Sequence, residues 1–169
     1  MTLTTISIIA ATAIYIAYNA ICLALFSIPE SLSNTYYLWK ENNGKGWLFC
    51  LMMYAVVILM MPAWITMSEG SDFQFLAFLA PASIAFVGTA PKFKDGDLEN
   101  KVHTISAIIA AVCSLLWVAL VTPYWFVMLI WWGIISGCLT VTKSYSCLVY
   151  WLEQVAFGST FTAAIIYSL

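Results

Sequence analysis

The chain has 169 residues, of which 63% are hydrophobic and only 8% charged, with a formal net charge of −2. A soluble domain of ordinary composition is about 25% charged, so the composition excludes that class and points to a bilayer as the solvent. There is no arginine and no basic cluster, which excludes the footprint that nucleic-acid binding requires.

Apolar runs cover approximately 3–27, 47–68, 73–90, 103–122, 124–142 and 145–168. Each approaches the roughly 20 residues that a spanning helix needs. The expected fold is therefore all-α, a polytopic integral membrane protein. A single membrane domain, 1–169, forms a six-transmembrane-helix bundle. The first run lacks a preceding Lys or Arg and exceeds the h-region of about 7–15 residues in a removable signal. It reads as a retained helix, and it carries Ala13, Ala17 and Asn19.

The connection 28–46 holds Pro29, then Leu32, Tyr36 and Trp39 at helical spacing. This predicts a short interfacial helix after the first span. The second run holds Pro62-Ala63-Trp64 near its outer end, and Pro123-Tyr124-Trp125 stands at the start of the fifth. These aromatics, with Trp39 and Trp47, suit the two membrane boundaries. The third run is short and carries Pro81, a place for a kink. The stretch from Pro91 to His103 is the most charged. Asp97 is a plausible N-cap there, and Glu99 and His103 fall one turn apart as a candidate interfacial acid/base pair. In the fifth run, Gly133 and Gly137 have small-x-x-x-small spacing, like Ala13 and Ala17, which suits close helix contacts.

The last run carries Glu153. A charged residue at the centre of a spanning helix costs about 3 kcal/mol on insertion scales and often marks function. Ser146, Glu153 and Thr160 share one helical face, with Gln154, Gly158 and Thr162 beside them. This half is expected to pack on protein. Val155, Ile165 and Ile166 are expected to face lipid.

All six lysines fall in the connections 28–46 and 91–102 or at Lys143. By the positive-inside rule these are cytoplasmic and both termini external, in the cell membrane. With that topology Asn19, Ser83, Ser106, Ser136, Tyr54 and Glu153 fall in the cytoplasmic half. A polar chamber is expected there, with Glu153, Asn19, Gln154, Ser136 and Tyr150 as its ligand-binding residues.

The cysteines, Cys22, Cys50, Cys113, Cys138 and Cys147, are odd in number and show no C-x-x-C. Neither a disulfide framework nor a zinc site follows. With a single histidine and no calcium-loop pattern around Gly96, no metal and no cofactor is expected. The first functional reading is binding or transport of a small amphiphilic or cationic ligand. The second is a non-catalytic membrane subunit or assembly factor, docking on a partner protein or a second copy. The third is a lipid-modifying enzyme using Glu99 and His103. The chain shows no nucleophile motif, so the balance is against catalysis.

Overall fold

The computed structural model describes residues 1–89 and 91–169, and the described residues are all-helical. The order is α1 (Leu3–Phe26), α2 (Thr35–Asn43), α3 (Trp47–Met67), α4 (Leu76–Thr89), α5 (Asp97–Leu120), α6 (Phe126–Thr142) and α7 (Leu148–Ser168), with a 3-10 turn Tyr145–Cys147 before α7. Three helices, α1, α3 and α5, are long and apolar enough to cross a membrane. At 1.5 Å per residue α1 and α5 run about 36 Å, against a hydrocarbon core of about 30 Å. The apolar helices α4 and α6 are shorter. The expected run 73–90 forms helix only from Leu76, and its end at position 90 lies outside the described residues. The helix α7 has the length, but Glu153, Gln154, Ser159, Thr160 and Thr162 lower its hydropathy.

Both termini lie at one end of the bundle. Thr2 caps α1 by accepting from the Thr5 N–H, and the Thr5 hydroxyl donates to the Ser168 carbonyl at 2.9 Å. The lysine-bearing connections meet at the other end. There Lys94 Nζ reaches Glu30 at 3.5 Å, and the Tyr150 N–H donates to the Glu30 carbonyl at 3.2 Å.

The core is made mostly by α1, α3, α4 and α5. The buried face of α4, which packs on α3 and α5, sets the small residues Ala77, Ala80 and Gly88 among Leu76, Ile84 and Val87. A Cβ on Gly88 would already lie 3.1 Å from that of Met53, so α3 and α4 approach closely. At the terminal end, Trp64 and Trp117 stack with centroids 4.9 Å apart, and the Trp117 indole donates to Ser68 Oγ at 2.7 Å. Trp64 is thus a core residue and not a boundary anchor. Trp39 is also buried, whereas Trp47 and Trp125 are exposed. Burial of Trp64 follows from its partner, since the paired rings exclude lipid from each other.

The connection after α1 folds inward. Leu32, Ser33, Asn34 and Thr35 are all buried. The short helix is present as α2, but Tyr36 and Trp39 pack on the bundle, and the Trp39 indole donates to Cys22 Sγ at 3.3 Å. The turn that redirects the chain is Ser27, at φ 62 and ψ −158. That region is essentially reserved for glycine and costs about 1–3 kcal/mol for other residues. Ser27→Gly is expected to raise stability by about 1 kcal/mol after the added flexibility of the unfolded chain is deducted. Thermal unfolding in detergent checks this, and a lower midpoint would contradict the turn.

Other expectations change. Val155 is 1% exposed and packs inside, while Ile166 is exposed. Ala13, Ala17, Gly133 and Gly137 are exposed, and a Cβ on either glycine would meet nothing within 4 Å. These small residues therefore do not make the close contacts within the chain. The first helical residue of α5 is Asp97, and Gly96 takes the N-cap position. Asp97 and Glu99 still place negative charge in the first turn, where the helix dipole favours it.

Candidate functional site

At the lysine end, α5, α7, the α1–α2 linker and the α4–α5 loop line an open vestibule of about 510 Å³. Its polar wall is Glu30, Ser31, Ser33, Lys94, His103 and Glu153. On its side toward the bundle surface stand Ile108 of α5 and Val149 and Leu152 of α7, all substantially exposed. The vestibule is therefore amphipathic, with a hydrogen-bonding end and an apolar flank.

Glu153 is half-buried in the second turn of α7. Its Oε2 accepts the Leu32 N–H at 2.6 Å, and Leu32 itself is fully buried. No lysine is paired with Glu153 among the described residues; Lys94, on the same vestibule wall, is bonded to Asn34 Oδ1 at 2.8 Å and to Glu30. Glu153 also lines a second, inner cavity of about 70 Å³ among α3, α4, α5 and α7. Ala107, Ala111 and Glu153 are common to both walls. The carboxyl group therefore stands where the two cavities adjoin.

The α4–α5 loop forms one side of the vestibule. The Lys94 N–H donates to the Tyr37 hydroxyl at 2.9 Å, and the Lys94 ammonium lies 5.4 Å from the Tyr37 ring centroid. Phe93 stacks on His103 with centroids 4.5 Å apart, and His103 Nε2 is 2.9 Å from Ser33 Oγ. Burial and stacking of His103 tie α5 to the linker. Glu99 is exposed and folds back over Gly96, where a Cβ would collide with its carboxylate. The two members of the expected acid/base pair thus stand in different surroundings, one in the core and one in solvent.

Asn19, Gln154 and Tyr150 come together, but in a network of their own. The Gln154 amide donates to Asn19 Oδ1 at 3.2 Å and the Tyr150 hydroxyl donates to the same oxygen at 3.3 Å. The Tyr15 hydroxyl donates to Gln154 Oε1 at 3.1 Å, and the Asn19 amide donates to the Tyr15 carbonyl at 3.0 Å. These polar groups satisfy one another between α1 and α7 and line neither cavity. Ser136 is exposed on α6, remote in the packing from the others, because α6 packs chiefly on α7 through a different face. Ser146 is likewise exposed in the 3-10 turn, while Thr160 joins Glu153 on the inner cavity.

Removing the shared acceptor by Asn19→Ala is expected to lower stability by about 1 kcal/mol, the scale of interhelical hydrogen bonds in membranes. In an Asn19→Ala, Gln154→Leu pair the losses should fall short of additivity. Denaturant titration of the single and double variants measures this.

Sequence reasoning did not find Glu30, Ser31, Ser33 or Lys94 as vestibule residues. One signal was available: they form the polar stretches of the two long lysine-bearing connections, which the topology brings to one end. The chain matches no protein-family model, no curated protein and no solved structure.

Proposed function

We propose that the chain is a six-span protein of the cell membrane that binds a small cationic or zwitterionic amphiphile in the vestibule, as a binding or transport protein. In this reading α4, α6 and α7 also cross the bilayer, α2 lies near the cytoplasmic surface, and the termini are external. The convergence of all lysine-bearing connections opposite the termini supports that sidedness. Cysteine labelling at positions 1 and 169 from either side of intact vesicles tests it; labelling from opposite sides would overturn it.

The observation that carries the ligand reading is the Glu153 carboxyl at the vestibule floor, held by one backbone N–H and unmatched by a lysine among the described residues. A vestibule of about 510 Å³ falls within the 300–1,000 Å³ typical of small-ligand sites. The exposed flank of Ile108, Val149 and Leu152 suits an alkyl chain leaving toward lipid. The test is thermal stabilisation of the purified protein by alkyl amphiphiles of equal chain length. An alkylammonium should stabilise the protein, an alkyl sulfate should not, and Glu153→Gln should remove the preference. Equal response to both head groups would refute the site.

One observation favours docking on a membrane partner as a second reading. The stripes at Ala13 and Ala17 and at Gly133 and Gly137 both face outward, where a helix of a partner or a second copy would fit closely. Recovery of a stoichiometric partner, lost in Gly133→Leu, would select this reading.

A further inference from the structure

The vestibule residues of α5 fall into two helical stripes. Asn100, Thr104 and Ile108 recur at intervals of four and are exposed. His103, Ala107 and Ala111 recur at the same interval and are buried or half-buried. Residues four apart share a helical face, so the first stripe is a rim and the second a bed. Val149 and Leu152 of α7, 55% and 42% exposed, form the opposite rim. The vestibule is therefore a groove along α5, open on its long side toward the surface of the bundle. Its lower bed is alanine, which leaves room for a chain.

The polarity of the groove changes along its length. Lys101 is the last charged residue of α5. From His103 to Ala111 the bed runs about 12 Å at 1.5 Å per residue. One leaflet contributes about 15 Å of a hydrocarbon core of roughly 30 Å. The charges gather at the His103 end, each tied to the same stretch of linker. His103 Nε2 is 2.9 Å from Ser33 Oγ, the Leu32 N–H donates to Glu153 at 2.6 Å, and Lys94 donates to Asn34 at 2.8 Å. Lys94 also follows Phe93, which stacks on His103. Charge above and an apolar bed below is the order of head group and chain in one leaflet. A soluble amine would leave the apolar bed empty, and an anionic lipid would set its charge against Glu30 and Glu153. A zwitterion matches both signs. The Lys94–Glu30 pair is 3.5 Å long with both side chains exposed, so it contributes little, and a phosphate can take the place of Glu30.

We propose that the groove takes a whole phospholipid with an amine head group from the leaflet on the lysine side. The phosphate meets Lys94, the ammonium meets Glu153, and one acyl chain lies over Ala107 and Ala111. Entry is lateral, past Ile108 and Leu152, so the chain never leaves hydrocarbon. This rests on the amphiphile reading above and narrows it to a lipid of the bilayer.

The test reconstitutes the full-length protein in bilayer discs with equal amounts of two phospholipids that share acyl chains and differ in head group, ethanolamine or glycerol. Lipid retained after transfer to mild detergent is identified by native mass spectrometry. The ethanolamine lipid should exceed the glycerol lipid about 10-fold, because the latter sets like charges together. Glu153→Gln should remove that excess. Lys94→Gln should lower retention of both lipids while leaving stabilisation by an alkylammonium, which has no phosphate, unchanged. Each lipid is then given a photoreactive group midway along one chain. Adducts at Ala107 and Ala111 should follow the ethanolamine head group. Adducts at the exposed Ile105 and Ile109 should form equally with both. Ala107→Phe, which fills the groove, should remove the retained lipid; Ile108→Trp, at the rim, serves if the phenylalanine variant does not fold. Phosphoethanolamine without chains, added to the water, should not displace the lipid. Displacement at equal concentration would move the source to water and overturn the proposal. Equal retention of the two lipids, adducts at Ala107 indifferent to head group, or full retention in Lys94→Gln would overturn it too. Alkylammonium stabilisation with no phospholipid retained would sink the lipid inference and leave the vestibule reading standing; absence of both would sink both.

Discussion

Glu153→Leu is expected to insert into the membrane more readily than the parent chain and yet to lose the fold of the α1–α2 linker. The two effects have opposite signs because they act on different steps. In the six-span reading proposed above α7 crosses the bilayer, and exchange of an acid for leucine within such a helix favours insertion by about 3 kcal/mol. Once inserted, the variant leaves the Leu32 N–H without its acceptor, which stands 2.6 Å away in the parent. An unsatisfied buried donor costs about 1–3 kcal/mol, and Leu32 is fully buried. The remaining ties of the linker to the helices include the Tyr150–Glu30 backbone bond, the Tyr18–Thr35 hydroxyl contact and the His103–Ser33 side-chain bond. Opening is therefore expected to be local, from Glu30 to Thr35, with the bundle intact. Hydrogen exchange at the Leu32 amide should accelerate about 10-fold or more, as 1.4 kcal/mol is a factor of ten. Chymotryptic cleavage in 28–39 should accelerate with it. Glu153→Gln keeps an acceptor oxygen and should retain protection at Leu32 while losing preference for a cationic head group. Unchanged Leu32 exchange in the leucine variant would show that the carboxyl does not anchor the linker.

The same residue shows what the sequence could and could not disclose. Its cost was legible, because an acid in an apolar run is expensive wherever the run packs. Its partner was not, because a backbone N–H leaves no mark in the residue code. The linker that supplies this N–H reads as a surface segment from its alternation of Glu30, Ser33 and Asn34 with Leu32 and Tyr36. Only the turn at Ser27 sends it inward. Facing was the other weak point. In water an amphipathic pattern tells core from solvent, but lipid tails and a protein core are both apolar. Val155 and Ile166 are then indistinguishable by hydropathy, yet one is buried and the other exposed. Seven-residue spacing correctly put Glu153 and Thr160 on one face, and both line the inner cavity. It could not say that Gln154, one position along, would turn to Tyr15 and Asn19 instead. Small-residue stripes carry the same ambiguity: Gly158 takes a tryptophan from the preceding helix, whereas Gly133 and Gly137 take nothing among the described residues.

That contact at Gly158 sets the second large effect. Gly158→Leu is expected to detach α6 from α7, and even Gly158→Ala should loosen it. A Cβ at this position would lie 2.6 Å from ring atoms of Trp131, well inside contact distance. The ring cannot slide freely, because its Nε1–H donates to Thr162 Oγ1 at 3.1 Å. The helix α6 has little else to hold it: Val127 and Ile135 are its buried residues, and it packs chiefly on α7. Overpacking of this kind costs about 1–3 kcal/mol. For alanine, the gain in helix propensity over glycine, about 1 kcal/mol, offsets part of that; for leucine the added bulk outweighs it. A cysteine pair across α6 and α7 should cross-link in the parent and fail in Gly158→Leu. Thr162→Val, which removes only the acceptor, should cost about 0.6 kcal/mol and leave the cross-link intact. The decisive comparison is the double variant Gly158→Ala, Trp131→Ala. With the ring gone the added methyl has room, so the two substitutions together should cost less than the sum of their separate losses. Strict additivity would mean that Trp131 does not rest on Gly158, and α6 would then need another reason to stay at the edge of the bundle.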